Sequence, residues 1–141
     1  MDVVQDRSKG ANMDDYAIRY PTNVVDIASF LVRLTGMYVL VEILIIKIRD
    51  FTALKADSLP PILHYSANEP FTKYDMCKIF ANILGLSLDH IKPVSTPPTG
   101  PGATTRPYNC HLSTAETEKL LPLQCSGFRQ WWEEYLTGSS K

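Results

Sequence analysis

The sequence predicts an α/β chain in which helices and short strands are interleaved, and three observations carry that prediction. The apolar and aromatic run ILHYSA (62–67) lies between Pro60-Pro61 and Asn68, as a short strand does. A capped amphipathic helix follows it from Thr72. Another amphipathic helix opens earlier, at Thr22, directly after Pro21. The chain has 141 residues, 45% of them hydrophobic and 21% charged, which is the size and make-up of one folded domain. A domain of this length buries roughly 70% of the surface its unfolded chain exposes.

From the N-terminus onward, residues 1–18 are polar and without periodicity, which predicts a loop or extended arm. The first helix is expected over 22–34, with Thr22 as cap and Val24, Val25, Ile27, Ala28, Leu31 and Val32 recurring at helical spacing. Residues 36–51, GMYVLVEILIIKIRDF, are β-branched and locally strand-like. The stretch 30–48 is mostly apolar, but Arg33, Glu42 and Lys47 interrupt it. A bilayer crossing needs about 20 apolar residues, so no membrane partner is expected. After the strand at 62–67, Thr72 and Asp75 frame the next helix, with Met76, Cys77, Phe80, Ile83 and Leu84 on one face and Gly85 as terminator.

A further short strand is expected over 90–95, and the Pro, Gly and Thr content of TPPTGPGATT (96–105) marks a surface loop. Ser113 with Glu116 forms a capping box for a short helix reaching Leu121. The last helix is expected from Ser126, with Phe128, Trp131, Trp132, Tyr135 and Leu136 on one side. There the two tryptophans suit core packing or, alternatively, a partner-binding anchor. The chain contains no internal repeat.

The formal net charge of -1 gives no electrostatic ground for a nucleic-acid or anionic-membrane partner. Cys77, Cys110 and Cys125 are odd in number and widely spaced, which argues against a disulfide framework and a zinc site. Cys77 on a helix face and Cys110 in an apolar run are expected to be buried. Reduced thiols and an opening MDVVQDRSKG with no apolar core suit a cytoplasmic location. His64, His90 and His111 are isolated, so no metal and no Ser-His-Asp or Cys-His arrangement is expected.

Arg19 and Arg106 are candidate binding residues, because a guanidinium presents a planar fork of donors to phosphate or carboxylate. Each could instead hold loop carbonyls or an acidic partner such as Asp26. Asp26 itself suits the positive end of its helix. Asn68 and Glu69 follow the strand in a loop position where ligands bind, and they are also ordinary turn residues. Tyr74 and Lys78 have the Y-x-x-x-K spacing in which a lysine lowers a tyrosine pKa for proton transfer. That spacing is equally a helical surface pair, which is the preferred reading, and no catalytic residue is assigned.

Three blocks, RYPTNVVDIA (19–28), HYSANEPFTKYDMCKIF (64–80) and RPYNCHLS (106–113), occur in an order that resembles the extended short-chain dehydrogenase/reductase superfamily. The resemblance is to its dTDP-4-dehydrorhamnose reductase-like branch, in the C-terminal, substrate-binding part. With ANMDDYAIRYPTNVVDIA (11–28) included, the chain is similar to the regulatory beta-subunit group of the methionine adenosyltransferases. The resemblance spans 3–35 and 58–113, leaving 36–51 as an insertion and the last helix outside the family pattern.

It implies a single partial domain over 1–141: the C-terminal substrate-side lobe of a Rossmann-type extended reductase, lacking the N-terminal dinucleotide-binding half. It also implies that Arg19, Asn68, Glu69 and Arg106 support a nucleotide-sugar cleft. The implied role is regulatory and non-catalytic, through binding the methionine adenosyltransferase catalytic subunit in S-adenosylmethionine synthesis. The alternative is a fragment of an NADP-dependent nucleotide-sugar reductase. In these families the catalytic tyrosine–lysine pair lies upstream of the RYPT block, so Tyr74 and Lys78 do not correspond to it. None of the seven glycines falls in a G-x-G-x-x-G turn, so NADP, implied for full-length relatives, is not expected to bind this chain alone.

Overall fold

Seven elements follow one another along the chain: α1 (Asp2–Gln5), β1 (Ala11–Asp14), α2 (Val24–Lys47), α3 (Lys73–Leu84), β2 (Ile91–Val94), α4 (Ala115–Leu120) and α5 (Phe128–Thr137). The computed structural model describes residues 1–47, 60–101, 103 and 107–138. Helices and strands are both present, as the α/β reading requires. The chain divides into two compact units. One comprises Met1–Pro21, Ala67–His111 and Ser126–Lys141; the other comprises Thr22–Ser66 and Leu112–Cys125.

The first unit is organised by a parallel pair of strands. Ala11 is opposite Ile91 and Asp14 opposite Val94. The ladder is closed at one end by the Ala11 N–H on the His90 carbonyl (2.8 Å) and at the other by the Asp15 N–H on Val94 (2.9 Å). Parallel strands need a long crossover, and α3 lies within the one between β1 and β2.

Both ends of α3 are set by local chemistry. The Thr72 hydroxyl accepts the Asp75 N–H at 3.0 Å, while the Asp75 carboxylate accepts the Thr72 N–H at 3.0 Å. At the other end Gly85 adopts φ 65°, a left-handed conformation that glycine takes without strain. The capping box and the glycine stop are those expected from sequence. Replacing Thr72 by alanine is expected to lower stability by about 1 kcal/mol in urea titration, with Gly and Asn at this position costing less.

Cys77, Phe80 and Ala81 of α3 join Val4 and Ile91 in the buried cluster, against which Met13, Leu86, Leu88, Phe128, Trp132 and Leu136 pack. Phe80 meets Trp132 edge-on at 4.9 Å, a favourable arrangement of ring quadrupoles. Trp132 thus takes the core-packing role. Helix α5 starts at Phe128, two residues later than Ser126, because its first N–H is taken by Glu69 Oε2 at 2.6 Å.

Several expectations are corrected. Residues 1–18 are not simply an arm: they form α1 and β1, and Val4 is 1% exposed. The period was hidden because each element is four residues long. Residues 36–47, read as strand-like, continue α2 as helix. Extending an existing helix costs little per residue, even for valine and isoleucine, whereas a strand requires a partner. The remainder of that segment, 48–51, lies outside the described residues.

Residues 62–67, read as a strand, form none: among the described residues the one ladder is that of β1 and β2, and 62–66 belong to the second unit while Ala67 belongs to the first. The polar groups of this segment find side-chain and loop partners. The His64 carbonyl accepts the Thr117 hydroxyl at 2.8 Å, and His64 Nδ1 donates to the Ser113 carbonyl at 3.1 Å. Thr114, not Ser113, is the N-cap residue of α4, and its hydroxyl reaches Glu118 at 2.7 Å. Helix α2 starts at Val24, and the Val25 N–H donates to Asn23 Oδ1 at 2.9 Å. Phe30 is buried on its inner side, 5.0 Å from the Tyr65 ring.

Candidate functional site

Two short bridges gather the sequence blocks in the first unit. Arg19 and Phe71 exchange both backbone hydrogen bonds at 2.9 Å. On the neighbouring residue, the Ile18 N–H reaches the Tyr108 carbonyl at 2.7 Å, and the Cys110 N–H returns to Ile18 at 3.2 Å. The chain around Arg19 is therefore bordered by the segments that carry Asn68 with Glu69 and Tyr108 with Cys110. Arg106 lies outside the described residues.

The Arg19 guanidinium faces its own turn. Nη1 donates to the Ala17 carbonyl and Nη2 to Asp14 Oδ2, both at 2.7 Å. These are the loop carbonyl and acidic partner of the structural alternative, with Asp14 in the place where Asp26 was expected. Asp14 is the centre of this arrangement. Its other oxygen accepts the N–H groups of Tyr16 (2.9 Å) and Ala17 (3.0 Å), an Asx turn directly after β1. Burial works against the charged carboxylate, but the Ala17 and Tyr16 N–H groups and Arg19 outweigh it and hold its pKa at about 2. Sequence reasoning passed over Asp14; the signal was an aspartate ending a strand with an arginine five residues on.

Asn68 and Glu69 are both exposed. Glu69 accepts from α5, where a carboxylate suits the helix N-terminus. Tyr16 and Tyr108 lie with ring centroids 4.9 Å apart, and Tyr20 lies 4.4 Å from His111. Next to them, the Thr72 hydroxyl reaches Asp15 at 2.9 Å, and Ser95 reaches the same carboxylate at 3.2 Å. The polar groups here chiefly hold three chain segments in register.

Lys78 Nζ pairs with Asp75 at 2.7 Å and lies 5.3 Å from the Tyr74 ring centroid. The Asp75 hydrogen bond pushes the lysine pKa up. The geometry is that of a helical surface pair with a cation over a ring face.

Cys77 is buried, and burial raises its thiol pKa; Cys110, expected to be buried, is exposed, as is Cys125. Cys110 follows the Ile18 bridge at the surface, so its apolar sequence neighbours did not report its burial. A thiol-disulfide reagent is expected to titrate Cys110 and Cys125 rapidly and Cys77 at the rate of unfolding. Rapid modification of all three would contradict the packing. In the second unit the Tyr65 hydroxyl donates to the Gln124 carbonyl. Burial, followed by the contact with Cys125, raises its pKa.

Among the described residues no group of three or more His, Cys, Asp or Glu side chains could hold a metal ion. Among them, too, no helix is long and apolar enough to cross a membrane.

No family model matches the chain. It is 35% identical over 128 residues to methionine adenosyltransferase 2 subunit beta of Xenopus tropicalis, covering 91% of this chain and 33% of that protein. The mouse protein of the same name is 33% identical over 135 residues, covering 96% of this chain and 35% of its own length. That of Danio rerio is 31% identical over 117 residues, covering 83% and 31%. The chain spans about a third of the length of the curated relatives it matches.

Proposed function

We propose that this chain is a non-catalytic regulatory protein of the methionine adenosyltransferase beta-subunit type, acting in S-adenosylmethionine biosynthesis by binding the catalytic subunit. The observation that carries the reading is the similarity to proteins named methionine adenosyltransferase 2 subunit beta along nine-tenths of the chain. It is supported by the placement of the polar groups. Two Arg19 donors serve Ala17 and Asp14, and Glu69 holds α5, so these residues build a scaffold that presents a surface.

In this reading residues 1–141 are one partial domain, the substrate-side portion of an extended short-chain reductase of the dTDP-4-dehydrorhamnose reductase-like branch, with 36–51 as an insertion. Arg19, Asn68, Glu69 and Arg106 are the residues this reading assigns to a nucleotide-sugar ligand. None of the seven glycines falls in a G-x-G-x-x-G turn, so NADP is not expected to bind this chain alone. Its expected location is the cytoplasm.

The test is co-purification of the full chain with a methionine adenosyltransferase catalytic subunit, followed by S-adenosylmethionine synthesis assayed with and without it. A stoichiometric complex that shifts the kinetics supports the reading. Retention on a dTDP-sugar matrix with no such complex supports the alternative, a portion of a nucleotide-sugar reductase.

A further inference from the structure

Beyond Val94 the chain leaves β2, and residues 95–101 are all exposed and belong to no helix or strand. Composition accounts for this: Pro97, Pro98 and Pro101 have no N–H to give to a ladder or a helix, and Gly100 adopts φ 107°. An exposed irregular segment can enter the cleft of a modifying enzyme with little packing undone.

Two hydroxyls are neighbours in this segment and differ in what they do. The Ser95 hydroxyl donates to Asp15 Oδ2 at 3.2 Å, just past the end of the ladder where Asp14 is opposite Val94. Thr96 is exposed, and its hydroxyl has no hydrogen-bond partner among the described residues. It also precedes Pro97, and no other serine or threonine of the chain is followed by proline. A kinase cleft that gives the following residue an apolar pocket and no acceptor for its N–H selects proline there, because proline alone has no N–H to strand.

We propose that Thr96 is a phosphorylation site for a proline-directed serine/threonine kinase, and that its phosphate loosens the hold of Ser95 on Asp15 at the end of the parallel ladder. The Thr96 oxygen attacks the terminal phosphorus of a nucleoside triphosphate; the new O–P bond forms as the bridging O–P bond breaks, the diphosphate leaves, and the hydroxyl proton passes to the kinase's catalytic carboxylate. The product carries a charge of about -1.5 to -2 at pH 7 on the residue next to Ser95. Asp14 pairs with Arg19 and Asp75 with Lys78, whereas Asp15 has no ion pair among the described residues to offset the added charge. The other Asp15 oxygen is 2.9 Å from the hydroxyl of Thr72, the N-cap of α3, so repulsion there is felt at the ladder and at the helix start. The site goes beyond the regulatory reading and does not depend on it.

The test incubates the full chain with MgATP and a cyclin-dependent kinase, a proline-directed enzyme, and locates the phosphate by peptide mass spectrometry. One phosphate per chain on Thr96 is expected. Pro97→Ala, a change in an exposed segment, is expected to slow its addition about tenfold, the cost of one unmet N–H in the cleft. An unmodified wild-type chain, a phosphate on another hydroxyl, or a Pro97→Ala chain modified as fast as wild type overturns the proposal. Urea titration then reads the consequence: the phosphate is expected to lower the folding equilibrium constant about threefold in the wild-type chain and to leave it unchanged in Asp15→Asn, which keeps an acceptor oxygen without the charge. An equal change in both chains overturns the link to Asp15.

Discussion

Phe80→Ala is expected to destabilise the first unit by about 3–5 kcal/mol, the range for deleting a buried aromatic ring. Phe80 is in the buried cluster with Val4, Cys77, Ala81 and Ile91, and it also touches the rings of Phe128 at 5.8 Å and Trp132 at 4.9 Å. Removing it empties the meeting point of α3 and α5, and little in a close-packed interior can move to fill the space. A loss of that size is comparable to the whole stability of a small unit. Urea unfolding followed by tryptophan fluorescence checks it, since Trp132 reports on the same contact. Tyr135→Ala is the internal comparison: its side chain is 58% exposed, and truncation is expected to change stability by no more than about 0.5 kcal/mol. Equal effects of the two changes would mean that α5 does not pack on α3 through Phe80.

The second large effect is electrostatic and depends on pH. Asp14 has its pKa lowered from 3.8 to about 2 in the folded chain. A depressed carboxylate contributes stability that is fully present above its unfolded value and is lost as pH falls through its folded value. The window is therefore between about pH 4 and pH 2. With one third of the side chain exposed, screening reduces the contribution to about 1–2 kcal/mol at neutral pH. Asp14→Asn keeps one oxygen for the Tyr16 and Ala17 N–H groups but loses the charge that Arg19 pairs with. The variant is expected to be less stable than wild type by that amount at pH 7, with the difference narrowing from about pH 4 and closed below about pH 2 in thermal melts across pH. A difference independent of pH would mean that the Asx turn, not the ion pair, carries the effect.

The candidate site was legible in part. Arg19 could be named from residue type, and the alternative that its fork holds a loop carbonyl and a carboxylate is the arrangement present. The identity of the carboxylate was not legible. Asp26 sat at a suggestive distance along a helix, while Asp14 belonged to a stretch that read as featureless. Glu69 looked like a turn residue or a ligand contact, and its oxygen instead holds the first N–H of a helix that begins 59 residues later. Partners at that separation leave no trace in a window of sequence.

What the sequence determined by itself is local. The Thr72 and Asp75 pair and the αL position at Gly85 bound α3 because caps act within one turn of the chain. The inward face of α3 follows from spacing in the same way. The tertiary structure decided what depends on distant neighbours. ILHYSA has the composition of a strand yet joins no ladder, because a strand exists through its partner. Ala11–Asp14 looks polar yet forms one, because 91–94 lies alongside and completes its hydrogen bonds. Hydrogen bonds that close within a turn can be read from sequence, whereas those that close across the fold are fixed by folding.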